Sequence, residues 1–403
     1  MGGVPASGVS ERLEANFVVL RDDADSDPIV IISVDLLYPG RVLRAALESA
    51  LPELRPDQIF LTSSHTHQAP MTDDTKPALG SPNSEYMRIL AVNLSKEVKR
   101  VIDSDSTQVG IVSTRTLTAT HSINRRLKKR WDFSRRPRCP WVAVRLGLAR
   151  EFYVMAPNPV GVTDELVTTL ISRSPTGQAQ FVIWNYACHP VSFPDKNRVA
   201  AHFPHYVRDV LRASLGVEDL PVLFLQGFSG NTRPSASIDH GAGWRSKVRA
   251  WLFGPYFVNM SWSAYSSWAT ELGELVETGC ATSTRLEDVG LLSRRSVFPS
   301  SLFVEGAAEA DVSFHAIRFG PAFAIVGVSA EVVAEFAPTV RAMTGSQQVM
   351  CVGCLDHPFG YAPTNAILRE GGYEGGDYCE LFGLGPLVSG VEEEMIKGFK
   401  SVT

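Results

Sequence analysis

The chain has 403 residues, of which 44% are hydrophobic and 20% are charged, and its formal net charge is −5. This composition is typical of a globular protein with a large core, and the acidic balance gives no reason to expect nucleic acid binding. Six cysteines are too few for a disulfide-built scaffold in a chain of this length, and no apolar run is long enough to span a bilayer. The first seven residues lack the basic and apolar regions of a signal peptide, so we expect a cytoplasmic protein.

Two strands, a helix and a third strand are predicted over the first 64 residues. Residues 12–20 and 29–34 flank a polar turn, and the second of these strands ends at Asp35. Residues 39–54 carry apolar side chains at helical spacing, and a β-branched and apolar run begins at Ile59. A strand–helix–strand order predicts a parallel pair of strands.

The strand that begins at Ile59 runs into two histidines, His65 and His67, which are followed by Ala69 and Pro70. Residues i and i+2 of a strand point to the same face, so both imidazoles are predicted to face one site. Neutral imidazole is the commonest zinc ligand, and the motif therefore indicates a metal site. The alternative is that one or both histidines only form hydrogen bonds in a buried turn.

Later parts of the chain repeat the pattern of apolar runs separated by polar turns. We predict helices over 86–102, 203–215 and 268–277, strands over 109–120, 142–148, 152–155, 180–187, 222–226 and 348–353, and a hairpin over 312–328. Residues 72–85 are predicted to form a loop that shapes access to the site. Residues 244–285 hold four of the seven tryptophans, and we expect a helical layer or a lid there.

The elements together predict one α/β domain over residues 1–403, with a mixed β-sheet core flanked by helices. Several polar residues directly follow predicted strands, where α/β sheets tend to place their sites. They are Asp35, His65, His67, Asn124, Arg125, His189, Asn231, Glu331 and Tyr361. Two or three imidazoles with one carboxylate are typical of a catalytic zinc site, although each of these residues also has an ordinary structural explanation.

In sequence order, these motifs resemble the catalytic domain of the neutral (non-lysosomal) ceramidases, which are zinc-dependent enzymes that hydrolyse an N-acyl amide. The resemblance extends over nearly the whole chain. The matching segments are residues 12–34, His65-Thr66-His67-Gln68-Ala69-Pro70, Ile123-Asn124-Arg125, residues 185–190, residues 327–331, residues 360–364 and Tyr373-Glu374-Gly375. We therefore expect a neutral-ceramidase-like domain, without the immunoglobulin-like C-terminal domain of that family.

The resemblance also implies a set of site residues. The implied zinc ligands are His65, His189, Glu331 and Tyr361. His67 and Arg125 are expected to line the site next to the metal.

Two positions differ from the family pattern. Arg233 stands where the family has the serine that is its proposed nucleophile, and an arginine, which is always charged, cannot be a nucleophile. Arginine can instead bind a carboxylate or an oxyanion. His202 lies in a segment where the family has an aspartate and a glycine, and it is expected either to add a base or to cap a helix.

We therefore expect a Zn²⁺-dependent hydrolase that cleaves an N-acyl amide with metal-activated water, on a small or anionic substrate that is not ceramide. His67 or His202 would act as general base and acid, with Arg125 assisting, and the substrate contacts would come from Asn124, Asn231, Arg233 and Tyr373. The alternatives are a zinc-dependent biosynthetic cyclase or an acyl or amide-forming transferase, and a non-catalytic binding protein. The partner is expected to be a small-molecule substrate, and the sequence leaves open whether the protein forms a homo-oligomer.

Overall fold

The structure, a computed structural model, describes residues 5–23, 25–104, 110–130, 151–239, 244, 248, 254–307 and 311–403. Its strands are β1 (Ala15–Leu20), β2 (Ile29–Val34), β3 (Ile59–Ser63), β4 (Ile111–Thr118), β5 (Ser122–Arg130), β6 (Glu151–Asn158), β7 (Leu166–Arg173), β8 (Ala179–Tyr186), β9 (Val222–Gln226), β10 (Thr232–Pro234), β11 (Thr284–Arg285), β12 (Leu291–Pro299), β13 (Asp311–Phe319), β14 (Phe323–Val328), β15 (Glu331–Val332), β16 (Gln348–Val352) and β17 (Tyr361–Ala362). Its helices are α1 (Arg41–Ala50), α2 (Ser84–Ile102), α3 (Phe203–Leu215), α4 (Trp262–Ala281), α5 (Ala337–Thr344), α6 (Asn365–Glu370), α7 (Asp377–Phe382) and α8 (Val391–Val402).

Three sheets make up the centre of the fold. Their strand orders are β1-β2-β3, β11-β4-β7-β8-β9 and β12-β13-β14-β16. Most neighbouring strands are antiparallel, whereas β2–β3, β8–β9 and β14–β16 are parallel. The parallel pair predicted from the first strand–helix–strand segment is therefore confirmed, and so is the hairpin β13–β14.

The alternation of side chains in β2 shows how the sheets divide the core. Ile29 and Ile31 pack into an apolar cluster shared by all three sheets. Val30 and Ile32 face the opposite side and pack with apolar residues of α1 and α2. Because successive side chains of a strand point to opposite faces, a continuous β-branched run is stable only where both faces are covered.

Helices cover the outer faces of the other two sheets. Residues of α3 and α4 pack with β8 and β9 around Trp184, and residues of α5 to α8 pack against the four-stranded sheet around Phe314. Within the predicted tryptophan-rich segment, α4 is a packed helix with Trp268 buried. Trp251 and the predicted strand 142–148 lie outside the described residues. In the part of the chain that the structure describes, no helix is both long and apolar enough to cross a membrane.

The loop that follows β9 lies directly on β15 and brings two parts of the site together. Gly230 donates its N–H to the carbonyl of Val332 at 2.8 Å. A Cβ atom at position 230 would lie 2.9 Å from the backbone oxygens of Glu331 and Val332. Only glycine permits this approach without moving the backbone, and the contact places the residue 227–234 loop beside Glu331.

Candidate metal centre

Two buried histidines point the same ring nitrogen at each other. The Nδ1 atom of His65 lies 3.0 Å from the carbonyl oxygen of Leu37, and Nδ1 of His189 lies 3.0 Å from that of Ser229. A carbonyl only accepts hydrogen bonds, so each Nδ1 carries a proton and each Nε2 is the atom left to bind a proton or a cation. The two Nε2 atoms are 3.0 Å apart. Two lone pairs at this distance repel unless a proton or a cation lies between them.

The backbone at His65 creates this arrangement. Strand β3 ends at Ser63, and His65 has a φ of 62°, in the left-handed region that non-glycine residues seldom adopt. His65 and His67 therefore meet at the site through a turned loop. The strand alternation from which their common site was predicted does not apply to them. Such backbone strain is tolerated where the surrounding structure fixes it, often at functional sites.

A carboxylate oxygen faces the same point. Oε2 of Glu331 lies 3.2 Å from Nε2 of His65 and 3.5 Å from Nε2 of His189, and it has no hydrogen-bond partner among the described residues. The other oxygen accepts a hydrogen bond from the Tyr38 hydroxyl. Burial alone would raise the pKa of Glu331, but the neighbouring His65 and the hydroxyls of Tyr361 and Tyr38 lower it below its ordinary value. The carboxyl is therefore ionised at neutral pH.

His67 adds a third imidazole. The donor atoms of His65, His67 and His189 all lie within 4.8 Å of one another. The Nε2 atom of His67 is buried and has no hydrogen-bond partner in the described part of the chain. Burial lowers the pKa of both His67 and His189 well below the ordinary value, so both rings are neutral.

This set of donors fits a divalent metal ion. Neutral imidazole nitrogens and a carboxylate oxygen are the ligands of catalytic zinc sites. The unpartnered oxygen of Glu331 and the facing nitrogens of His65 and His189 are the pattern expected of side chains arranged around a cation. A backbone carbonyl fixes the ring orientation of His65 and another fixes that of His189, as is usual for metal-ligating histidines.

The expected fourth ligand, Tyr361, lies next to this group. It pairs with Glu331 in the two-stranded ladder β15–β17, and its hydroxyl accepts a hydrogen bond of 3.0 Å from Nη2 of Arg125. Burial and the Glu331 carboxylate raise the pKa of Tyr361 well above its ordinary value. The hydroxyl is neutral in this arrangement, and its role as a metal ligand stays a prediction.

Arg125 is close to the donor group but is already paired. Its Nε donates to Glu374 at 2.7 Å, and the other carboxylate oxygen of Glu374 accepts from Arg126 at 3.0 Å. The guanidinium of Arg125 lies 5.6 Å from the ring centroids of both Tyr361 and Tyr373. Tyr373 is thus beside the site, and its substrate-binding role stays a prediction, while the charge of Arg125 is largely compensated by Glu374.

Two predicted substrate contacts hold the protein itself together. Asn124 donates to the carbonyl of Val162 at 2.8 Å and accepts from the backbone N–H of Arg126 at 2.8 Å. Asn231 donates to the carboxylate of Glu335 and accepts from the backbone N–H of Ala334 at 2.9 Å. Both amides are satisfied within the protein. This geometry speaks against the substrate-binding roles expected for them and favours roles in shaping the loops around the site.

His202 is placed differently from His67. Its Nε2 atom lies 2.8 Å from Oε1 of Gln68, and its ring is stacked on Phe193. It is the residue before α3, but its side chain makes no capping hydrogen bond. His202 does not belong to the group of converging donors, and its expected role as a base has less geometric support than that of His67.

Sequence reasoning missed the residues that hold the site residues in place. Tyr38 and Glu374 contact Glu331 and Arg125 across separations of 293 and 249 residues. No local pattern marks such long-range partners. A tyrosine close behind a predicted strand end was the only available signal for Tyr38, and Glu374 was noted only within the Tyr-Glu-Gly motif.

Two solved structures share this architecture. The neutral ceramidase from Pseudomonas aeruginosa aligns with a TM-score of 0.73 and 12% sequence identity, over 98% of this chain and 68% of that chain. A ceramidase complexed with C2 aligns with a TM-score of 0.72 and 12% identity, over 98% of this chain and 69% of that one. The fold is that of the neutral ceramidases.

The predicted α/β class and the neutral-ceramidase-like architecture are therefore confirmed. No family model matches the sequence, and no curated protein matches it. At 12% identity the structural similarity establishes the fold alone.

Proposed function

We propose that the protein is a zinc-dependent hydrolase of N-acyl amide bonds. The observation that carries the proposal is the pair of Nε2 atoms of His65 and His189, 3.0 Å apart beside the unpartnered oxygen of Glu331. The shared fold of two ceramidases supports it, because the sequence motifs resemble the same family.

In the proposed reaction, water adds to the carbonyl carbon of the amide, the C–N bond breaks, and the products are a carboxylic acid and an amine. His65, His189 and Glu331 would hold the metal, with Tyr361 as the fourth expected ligand. When bound, a zinc ion would polarise the carbonyl and make a water molecule more acidic.

His67 is the proposed general base. Its ring is neutral because burial and the neighbouring positive charges lower its pKa, and its unpartnered Nε2 is free to accept a proton. The same nitrogen would then return the proton to the leaving amine nitrogen. His202, whose Nε2 contacts Gln68, is proposed to support the loop beside it.

The hydroxyls near the replaced serine position favour water over a side chain as the attacking group. The Thr232 hydroxyl donates to the backbone carbonyl of Ala187 at 3.0 Å, and the Ser229 hydroxyl oxygen accepts a hydrogen bond from the Gln226 side-chain amide. Neither contacts a described histidine ring that could remove its proton. Nothing in the described residues favours ring closure or amide formation over hydrolysis, so we propose hydrolysis alone.

The proposal is tested by incubating the zinc-loaded protein with a panel of N-acyl amides in ¹⁸O-labelled water and analysing products by mass spectrometry. We expect acid and amine in equal amounts, with one ¹⁸O atom in the acid. His67→Gln should lower kcat by roughly 10²–10⁴-fold while the metal is retained. The matched control His205→Gln, on the α3 helix beside Asp209, should retain wild-type activity. A zinc-loaded, folded protein that cleaves no amide of the panel would overturn the proposal.

A further inference from the structure

Arg233 is a partly buried cation without a carboxylate partner among the described residues. Its Nη2 donates to the Ser192 hydroxyl at 3.2 Å, its Nη1 lies 3.8 Å from the sulfur of Met155, and its guanidinium is 4.7 Å from the ring centroid of Phe257. Nε is buried and has no hydrogen-bond partner among the described residues. Among the described residues, no carboxylate oxygen of an Asp or Glu lies within 4.0 Å of a guanidinium nitrogen of Arg233, the distance that defines an ion pair.

The energetics of this position are unfavourable for the protein alone. Burial and then the charge of Arg125 lower the pKa of Arg233 to about 10. At neutral pH the guanidinium is still charged, so a positive charge is held in a partly buried position without a counter-ion among the described residues. Buried charges are normally paired, and an unpaired one in a site is a candidate for binding an anion.

The other site arginines differ in this respect. Arg125 and Arg126 share the carboxylate of Glu374, and Arg126 is also 3.2 Å from Glu370. Their charges are therefore compensated before a substrate binds. Among these three arginines, Arg233 alone has a charge available for a ligand.

A cavity adjoins the guanidinium. Met155, which contacts Arg233, lines a cavity of about 350 Å³ together with Lys129, Val154, Ala156 and residues 254–256. Phe257, under the guanidinium, directly follows this lining segment. Arg233 also lies close enough to His67 for its charge to affect that ring. The guanidinium thus lies beside the cavity, and its charge acts on the ring of the proposed general base.

We infer that Arg233 binds a carboxylate of the substrate, so that the amides cleaved at this site are small N-acyl amides bearing a free carboxylate. One uncompensated guanidinium matches a singly charged carboxylate, and an arginine fork can bind both of its oxygens. The cavity volume is at the lower end of ligand pockets, which favours a small substrate. This inference rests on the proposed hydrolase function.

The carboxylate can belong to either half of the amide. In an N-acyl amino acid it is on the amine half, and in the half-amide of a dicarboxylic acid it is on the acyl half. The first pair of probes is N-hexanoylglycine and its neutral analogue N-hexanoylglycinamide, and their cleavage is measured as hexanoate release. The second pair is N-hexylsuccinamate and its neutral analogue N-hexylsuccinamide, and their cleavage is measured as hexylamine release.

We expect the wild type to prefer the carboxylate member of one pair by at least about 30-fold in kcat/KM, as for the loss of one partner of a buried charge pair. Arg233→Gln should remove that preference by lowering kcat/KM for the carboxylate substrate alone. Arg233→Lys should keep part of the preference for the carboxylate substrate. If Arg233→Gln does not fold, Arg233→Lys is the variant compared with the wild type. Arg88→Gln, at an exposed arginine of α2, is the matched control and should keep the wild-type preference.

Two results would overturn the inference: no preference in the wild type, or an equal loss for both members of a pair in Arg233→Gln. If the wild type cleaves neither pair, the hydrolase proposal fails, and calorimetric binding of N-hexanoylglycine and N-hexylsuccinamate decides the inference separately. Binding that is at least about 30-fold weaker in Arg233→Gln would support it. Equal binding, or none to the wild type, would refute it.

Discussion

Replacing Glu374 by glutamine should destabilise the fold strongly, because this carboxylate holds two buried arginines. Its oxygens lie 2.7 Å from Nε of Arg125 and 3.0 Å from Nη1 of Arg126, and the exposed fraction of its side chain is 3%. At an effective dielectric constant of about 20, two charges about 4 Å apart attract by about 4 kcal/mol. Glutamine removes this attraction, while the guanidinium of Arg125 stays buried and keeps its desolvation cost.

Arg126 keeps Glu370 and the carbonyl of Gly371 as partners in this variant, whereas among the described residues the Tyr361 hydroxyl is the side-chain hydrogen-bond partner left to Arg125. The uncompensated charge is therefore mainly that of Arg125. Removing one partner of a buried ion pair costs about 3–5 kcal/mol of unfolding free energy, and we expect Glu374→Gln to fall in this range.

The assay is urea unfolding at pH 7, monitored by tryptophan fluorescence. The zinc concentration is kept the same for all variants, because a bound metal adds to stability. The matched control is Glu85→Gln, whose partner Arg88 is exposed, and it should leave the unfolding free energy nearly unchanged. If Glu374→Gln costs no more than this control, the buried pairing of Arg125 is not the source of stability that the distances indicate.

Two further predictions concern the metal and the acid limit of stability. Tyr38→Phe removes the hydrogen bond to Glu331 and should weaken zinc binding about 10–100-fold in a chelator competition, and unchanged affinity would refute the positioning role of Tyr38. Burial alone would raise the pKa of Asp356, but Arg44 and Arg295 lower it to about 2. Since the unfolded value is near 3.9, the ionised carboxyl stabilises the fold above about pH 4, and about 2–3 kcal/mol is lost as the pH falls toward 2. Asp356→Asn should therefore flatten the decline of unfolding free energy between about pH 4 and 2 relative to wild type, and an unchanged slope would contradict this.

The local sequence pattern predicted elements whose stability depends on their own apolar periodicity. The buried run Ile29–Val34 and the hairpin formed by β13 and β14 are examples. In both, alternate side chains enter two different apolar clusters, so the signal is present in consecutive residues. The neutral-ceramidase-like fold was predicted from short motifs in the right order and is confirmed by the structural comparisons.

The site could be predicted only in part, because its geometry depends on loops and distant partners. His65 reaches the donor group through a left-handed φ of 62°, which strand alternation does not anticipate. Asn124 and Asn231 follow predicted strands, but their amides are used by neighbouring backbone groups and Glu335. The Tyr361 ligand role, the single domain over 1–403 and the cytoplasmic location stay predictions.

The central claim is that His65, His189 and Glu331 hold a zinc ion, and metal analysis of the purified protein tests it most directly. The measurement compares the wild type with His189→Ala and with His205→Ala as a matched histidine control, by mass spectrometry of the metal content. We predict about one zinc per chain in the wild type and in His205→Ala, and none in a folded His189→Ala. A well-folded wild type without bound metal after incubation with zinc, or a His189→Ala variant that keeps its zinc, would contradict the account.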